Sequence, residues 1–301
     1  MRTFTTLFLL IFLWSCSNND SSSKDNFQST IIDSTSSPNE TMNVLNEKTN
    51  YIGFVNSFYF SKGNEVYIDL YFIKDEIDGK EYNRITKLAD SLIYKDDENS
   101  RHRFPALLSH KYFDLRGLSK LNIYDAKNNF VCNASFVRVE YLDQNISPSF
   151  IAAYKTDKNL GSDIFYCVSN FNETLENLNY SITKDSLLTK KILAKLNVAR
   201  PYYGLENNGT HIQYQTSDTI LSIVNSDTYS FFVLSTNSDF KVLYKSSEPE
   251  NIINVIAVPM TENKLPYILT RKAMPESDMI WDELLYFDGT TYKTTNRQRK
   301  K

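Results

Sequence analysis

Hydrophobic and polar positions alternate along much of the chain from about residue 50 onward. In residues 65–73 every second residue is apolar, beginning at Val66, and the positions between them include Asp69. This period of two is typical of a strand with one buried face. A turn-forming sequence at 62–64 separates the segment from the apolar residues 54–60. The pattern therefore predicts that the two segments form a β-hairpin.

Further strands are predicted wherever short apolar or alternating runs lie between turn residues. Because these runs follow one another at intervals of about ten residues, they favour a mostly β fold of antiparallel sheets, of the sandwich or meander type. Helical periodicity is confined mainly to residues 85–94 and 185–196, so helices are expected to be accessories. The predicted strands are 121–124, 130–141, 150–154, 164–168, 220–224, 230–235, 241–244, 252–258, 267–271, 283–287 and 291–295.

Turn residues at 145–149 separate two strand-rich blocks of ordinary domain size. We therefore expect a first β-rich domain over 49–145 and a second, containing one helix, over 146–295, followed by a basic tail at 296–301. One continuous sheet assembly is the alternative. Residues 17–48 are rich in Ser, Asn, Asp and Thr, and predict a flexible linker that cannot bury enough apolar surface to fold.

The N-terminal residues predict export. Arg2 is followed by an uninterrupted apolar run at 7–14, which is too short to cross a bilayer and reads as a cleaved signal peptide over 1–15. The sequence Leu13-Trp14-Ser15-Cys16 resembles the lipobox of bacterial lipoproteins, although Trp14 is bulkier than the small residue usual there. The alternative is an ordinary signal peptide with an incidental cysteine.

The resemblance implies that Cys16 becomes the lipidated N-terminus and that residues 16–48 tether the protein to a membrane. It places the chain among the uncharacterised lipoproteins of the bacterial cell envelope, anchored in the outer membrane on its periplasmic or its outer side. It implies no activity. The expected partners are the membrane itself, through the lipid, and an envelope protein or glycan.

Composition removes several classes of function. The net charge is −3, so the chain offers no basic surplus to neutralise nucleic acid. Glycine is scarce, with 8 residues, and neither G-x-G-x-x-G nor G-x-x-x-x-G-K-[ST] occurs, so the glycine-rich loops that hold dinucleotides or triphosphates are missing. We therefore expect no cofactor.

Two cysteines would remain besides Cys16. Cys132 and Cys167 both fall on apolar faces of predicted strands. An oxidising compartment allows them to form a disulfide. The competing interpretation is two buried free thiols that pack as small hydrophobic side chains.

No catalytic or metal-binding motif is present. His102, His110 and His211 lack zinc-site spacing and are expected at the surface, and residues 75–81 lack the ligands of a calcium loop. The pairs Glu276 with Asp278 and Asp282 with Glu283 flank Trp281 but are predicted to be surface charges, so that alanine at 282 or 283 changes stability by within about 0.5 kcal/mol. The sequence thus favours a binding or structural module. The alternative is a glycosidase-like hydrolase whose two carboxylates leave no local motif.

Overall fold

The computed structural model of the chain describes residues 38–47, 49, 51–56, 63–74, 76–95, 99–144, 149–161, 163–169, 180–198, 209–214, 218–237, 239–259, 265–274 and 280–295. The predicted signal peptide, Cys16, most of the predicted linker and the predicted basic tail lie outside this range. The helices are α1 (Pro38–Leu45), α2 (Gly79–Thr86), α3 (Ala106–Tyr112) and α4 (Ser186–Leu196). The strands are β1 (Ile52–Val55), β2 (Glu65–Asp69), β3 (Ser91–Lys95), β4 (Asn99–Phe104), β5 (Lys120–Asp125), β6 (Phe130–Gln144), β7 (Ser149–Thr156), β8 (Phe165–Ser169), β9 (Tyr180–Lys184), β10 (Thr210–Tyr214), β11 (Ile220–Asn225), β12 (Ser230–Ser235), β13 (Phe240–Lys245), β14 (Asn251–Val258), β15 (Tyr267–Ala273), β16 (Ile280–Phe287) and β17 (Tyr292–Thr294).

The first eight strands form one antiparallel sheet that closes on itself. Six of them follow the circuit β1-β8-β5-β6-β7-β2, and a bridge between Asn56 and Tyr67 joins the two ends through backbone hydrogen bonds of 2.7 and 3.1 Å. The remaining strands, β4 and β3, extend from the second half of β6. The circuit is a small barrel, and its closure leaves β1 and β2 no open edge at Asn56 and Tyr67.

Alternation along these strands fills the barrel with side chains. Val66 and Ile68 of β2 share one buried cluster with Ile123, Ala152 and Tyr154 from the other strands. Three helices add to the same core, since Leu45 and Ile85 are fully buried in it and α3 packs against α1. The interior is therefore a packed core.

The other two sheets continue the structure in layers. The four-stranded sheet, ordered β14-β15-β16-β17, packs one face against the outer side of β1 and β8, where Ile52 and Phe54 meet Leu269 and Leu284. Its opposite face packs against the five-stranded sheet, ordered β13-β12-β11-β10-β9. Helix α4 covers the face of the five-stranded sheet that points away from the four-stranded sheet. The four-stranded sheet thus forms the central layer.

The prediction of a mostly β fold with antiparallel sheets and few helices is confirmed. Of the predicted hairpin between residues 54–60 and 65–73, the described residues form only the Asn56–Tyr67 bridge, since β1 pairs with β8 and β2 pairs with β7 along their lengths; residues 57–62 lie outside the described residues. Residues 85–94 also differ from prediction: α2 ends at Thr86, and β3 begins at Ser91. Helix α4 follows its prediction closely because Asp185 caps it by accepting hydrogen bonds from the amides of Leu187 and Leu188. None of the helices that the structure describes is long and apolar enough to cross a membrane.

The block boundary predicted at residue 145 falls inside the eight-stranded sheet. Strands β6 and β7 lie on either side of it and pair with each other over eight residue positions. The sheet changes only after β8, which ends at Ser169. Part of the predicted linker is helical, because α1 begins at Pro38. Leu45 at the end of α1 is buried among the apolar side chains of the barrel.

Of the two interpretations of Cys132 and Cys167, the possible disulfide is not formed, and both cysteines are buried free thiols. Cys132 of β6 and Cys167 of β8 each lie opposite Ile123, on the two sides of β5. Strands two places apart in a sheet are separated by about 10 Å, beyond the roughly 7 Å between Cα atoms that a disulfide can span. Burial raises the pKa of both thiols.

Mass mapping without reducing agent should therefore find two unmodified thiols. Native protein should resist alkylation at both positions because the thiols are buried and uncharged. After unfolding, both should react fully. A Cys132–Cys167 peptide in protein that was alkylated before digestion would contradict the strand order.

Candidate functional site

A groove of about 780 Å³ lies where the five-stranded and four-stranded sheets meet. Strand β13 and the following turn line one side, and β16 and β17 line the other. Ligand sites are commonly concavities of about 300–1,000 Å³ with a few convergent polar groups. The lining includes the aromatic residues Tyr244, Trp281 and Tyr292, the acids Glu248, Glu250 and Glu283, the hydroxyl residues Ser247, Thr291 and Thr294, and the lysines Lys245 and Lys293.

Strand register brings the central side chains together. Lys272 of β15 lies opposite Trp281 of β16, and Glu283 lies two residues further along the same strand. All three are on the face of the four-stranded sheet that meets the five-stranded sheet, because side chains two residues apart share a face. Tyr244 comes from β13, and Glu250 comes from the turn before β14.

Lys272 lies directly beneath the groove, with none of its side chain exposed, and contacts three of the residues that line it. Its Nζ lies 2.9 and 3.1 Å from the two carboxylate oxygens of Glu250 and 2.6 Å from Oε2 of Glu283. It also donates a hydrogen bond of 3.0 Å to the hydroxyl of Tyr244. A buried ammonium requires such compensation, because an unpaired buried charge costs several kcal/mol.

The carboxylates are themselves held by other groups. The Trp281 indole N–H donates to Oε1 of Glu283 over 3.2 Å, and the Tyr244 hydroxyl lies 3.3 Å from Oε1 of Glu250. The backbone of Glu250 is fixed as well, because the hydroxyl of Ser230 donates to its carbonyl and its amide donates to the carbonyl of Thr228. The floor of the groove is therefore rigid before any ligand arrives.

The pKa values of the floor follow from burial and opposite charge. Burial by itself lowers the pKa of Lys272, but the combined attraction of Glu283, Tyr244 and Glu250 outweighs it and leaves the pKa above its ordinary value. Burial also raises the pKa of Glu250, and Lys272 opposes that rise only in part. The lysine consequently stays protonated, so it is a counterion and not a nucleophile.

A second ionic centre occupies the opposite face of the same sheet. Arg271 makes two hydrogen bonds to Asp282, of 2.8 and 2.9 Å, and a third of 3.0 Å to the side-chain oxygen of Asn56 at the end of β1. Asn56 in turn donates to Asp69 over 3.1 Å. This chain of contacts joins the barrel to the four-stranded sheet. Because Arg271 and Lys272 are neighbours, they point to opposite faces and serve different centres.

The expectation that Asp282 and Glu283 are ordinary surface charges is wrong. The side chain of Asp282 is 6% exposed and that of Glu283 is 28% exposed, and each is paired with a cation. Glu276 and Asp278 lie outside the described residues. Sequence reasoning missed Lys272, Glu250 and Tyr244. Lys272 follows Thr270 and Arg271 at the polar end of β15, so no local signal identified it.

The buried histidine, His211, makes hydrogen-bonding contacts that hold the fold together. His102 and His110 are half-buried, whereas His211 is buried between α4 and the five-stranded sheet. Its ring contacts the hydroxyls of Ser222 at 2.9 Å and Thr189 at 3.1 Å. Residues 76–81, part of the segment that lacks the ligands of a calcium loop, lead into α2, with Asp78 as its N-cap. Over the part of the chain that the structure describes, no three His, Cys, Asp or Glu side chains are grouped to hold a metal ion.

No protein-family model, curated protein or solved structure matches the chain.

Proposed function

We propose that this chain is a lipid-anchored module of the bacterial cell envelope that binds its ligand in the groove beside Trp281. The single observation that supports binding is the groove itself: a cavity of about 780 Å³ whose floor is an ion cluster fixed before any ligand is present. A rigid floor reduces the entropy lost on binding.

The ion cluster favours binding over catalysis. A glycosidase needs one carboxyl group to donate a proton and a second to attack the sugar or activate a water molecule. Here one ammonium contacts both Glu250 and Glu283, at 2.9 and 2.6 Å, and occupies the space between them. A general acid or nucleophile needs access to the substrate, which the shared ammonium obstructs at both carboxylates.

A carboxylate hydrolase is the second candidate function, because three carboxylates and a tryptophan line one groove. It would require a substrate that displaces Lys272 from one carboxylate. The two functions predict different results for Glu283→Gln, which preserves the shape of the side chain. A hydrolase should lose turnover of its glycan substrate completely, whereas a binding module should retain the ligand within about tenfold because the amide oxygen still accepts hydrogen bonds.

Blocking the groove tests the proposal directly. Ser247 is exposed at its rim, so Ser247→Trp should fill the opening and change stability by within about 0.5 kcal/mol. Small molecules and glycans released from protein purified out of gently solubilised membranes should be found with the natural chain and lost with this variant. Ser181→Trp, on the exposed strand β9, is the matched control and should retain them. Equal release from all three proteins, or none from any, would contradict the proposal.

The anchor is tested separately at Cys16. Cys16→Ser should abolish labelling by a fatty-acid probe and move the protein from the membrane fraction to the soluble fraction, since a lipid chain contributes about 0.8 kcal/mol per buried methylene to membrane binding. Fractionation with quantitative immunoblotting measures the change. Ser17→Ala is the control and should remain with the membrane. Retention of Cys16→Ser on the membrane would defeat the lipoprotein assignment while leaving the groove untouched.

A further inference from the structure

We infer that the groove accepts an uncharged oligosaccharide, with a sugar ring stacked on Trp281 and its hydroxyl groups bound at the ionic floor. The inference rests on the proposed function, since it names the ligand of the same groove. It follows from the charge balance of the floor, the groups still able to bond there, and the way in which the indole is held.

Charge balance disfavours an ionic ligand. The carboxylates of Glu248, Glu250 and Glu283 line the groove, and Lys272 neutralises one of them. Of the lysines in the lining, Lys293 is paired with Asp288 at 2.6 Å, whereas Lys245 lies over the ring of Tyr229 and keeps its charge, so an anion would still meet one surplus negative charge. A cation would have to compete with a buried ammonium for the same oxygens. An uncharged ligand avoids both costs.

The hydrogen-bonding groups of the groove suit a ligand that carries hydroxyl groups. An ionised carboxylate has about four lone-pair positions, and the contacts to Lys272, Trp281 and Tyr244 occupy only part of them at Glu283 and Glu250. Such oxygens accept O–H hydrogen bonds. Ser247, Thr291 and Thr294 line the same groove and can both donate and accept. A dense set of acceptors beside hydroxyls suits a ligand that carries many hydroxyl groups.

Trp281 supplies the apolar half of the interaction. Its N–H bond to Glu283 fixes the indole in the wall of the groove. A sugar ring presents C–H bonds on its face and hydroxyls at its edge, so it can cover an aromatic face while its edge reaches the carboxylates. A wholly apolar ligand would leave the carboxylates desolvated and unpaired.

Fluorescence of Trp281 tests the inference on the full mature chain. The chain has two tryptophans, and the proposed cleavage before Cys16 removes Trp14, so Trp281 is the only indole of the mature protein used here. The probes are neutral oligosaccharides of glucose, galactose, mannose and N-acetylglucosamine on an array, followed by fluorescence titration with the members that bind. We expect at least one neutral member to shift the Trp281 emission, and Trp281→Ala to weaken its binding by about tenfold or more. Phe130→Ala, an exposed aromatic residue outside the groove, is the control and should bind normally.

The variants keep the test independent of folding. Ser247→Trp should abolish binding without touching the core, and Trp281→Phe should restore part of the affinity lost in Trp281→Ala. Absence of binding to every neutral glycan, or preference for sulfated or amino-bearing members that persists in Trp281→Ala, would overturn the inference. If the array is negative while Ser247→Trp still removes a ligand from membrane-purified protein, the ligand class is wrong and the proposed function stands. If both experiments are negative, both fail.

Discussion

Replacing Lys272 with methionine is expected to lower the free energy of unfolding by about 3–5 kcal/mol. The methionine side chain has nearly the volume of the lysine side chain, so the variant loses little packing. It leaves Glu250, with a side chain only 8% exposed, and Glu283 facing each other without their shared cation. Two close carboxylates repel each other and raise each other's pKa. Denaturant unfolding at pH 7 measures the loss, and part of it should return below about pH 5, where the carboxylates take up protons.

Lys293→Met is the matched control for Lys272→Met. Lys293 pairs with Asp288 at 2.6 Å, the same distance as from Lys272 to Glu283, but its side chain is 59% exposed. An exposed ion pair of this kind contributes at most about 1 kcal/mol. Comparable losses in the two variants would show that the Lys272 cluster is hydrated and that the groove floor is not the rigid element described above.

Replacing Asp69 with asparagine should have the opposite effect and stabilise the protein at neutral pH, by about 1–3 kcal/mol. Burial, followed by repulsion from Asp282, raises the pKa of Asp69 from 3.8 to about 6, although Arg271 and Asn56 oppose the rise. The folded state therefore binds a proton more tightly than the unfolded state does. The free energy of unfolding therefore falls as the pH rises from about 4 to about 6. Above about pH 6 the folded protein remains destabilised by the buried Asp69 charge.

Asparagine removes this cost without losing the local hydrogen bond. Its side-chain oxygen can still accept from Asn56, whose Nδ2 lies 3.1 Å from Asp69. The gain over the natural chain should be largest at pH 7.5 and close to zero at pH 4, as measured by urea unfolding at both values. Asp163→Asn, at an exposed position, should change stability by less than about 0.5 kcal/mol at either pH. A destabilised Asp69→Asn at pH 7.5 would show that the carboxylate charge is needed by Arg271.

Local patterns predicted the elements of this fold better than their partners. The apolar runs of β11, β12 and β14 are visible within each segment, and the capping residue Asp185 indicates where α4 begins. Pairing is a property of residues distant in the chain: Ile52 of β1 lies opposite Val168 of β8. The short turn at 62–64 predicted a hairpin, but its residues contain no information about β8 and β7, the strands with which β1 and β2 pair.

The groove was only partly visible in the sequence for the same reason. Trp281 and Glu283 stood out because they are neighbours along β16. Lys272 comes close to Glu283 only when β15 pairs with β16. Glu250 reaches Lys272 only when the four-stranded and five-stranded sheets pack together. A lysine in a strand usually points to solvent. Its burial here depends on carboxylates 11 and 22 residues away.

Closure of the barrel has a consequence for the order of folding. β1 cannot pair until β8 exists, and β2 waits for β7, so the first two strands of the barrel remain single for most of the time in which the chain is made. Such long-range pairing slows folding and exposes apolar strands to other chains in the meantime. The two later sheets have mostly sequential neighbours and can form quickly. We therefore expect barrel closure, and not the two later sheets, to limit the rate at which the chain folds.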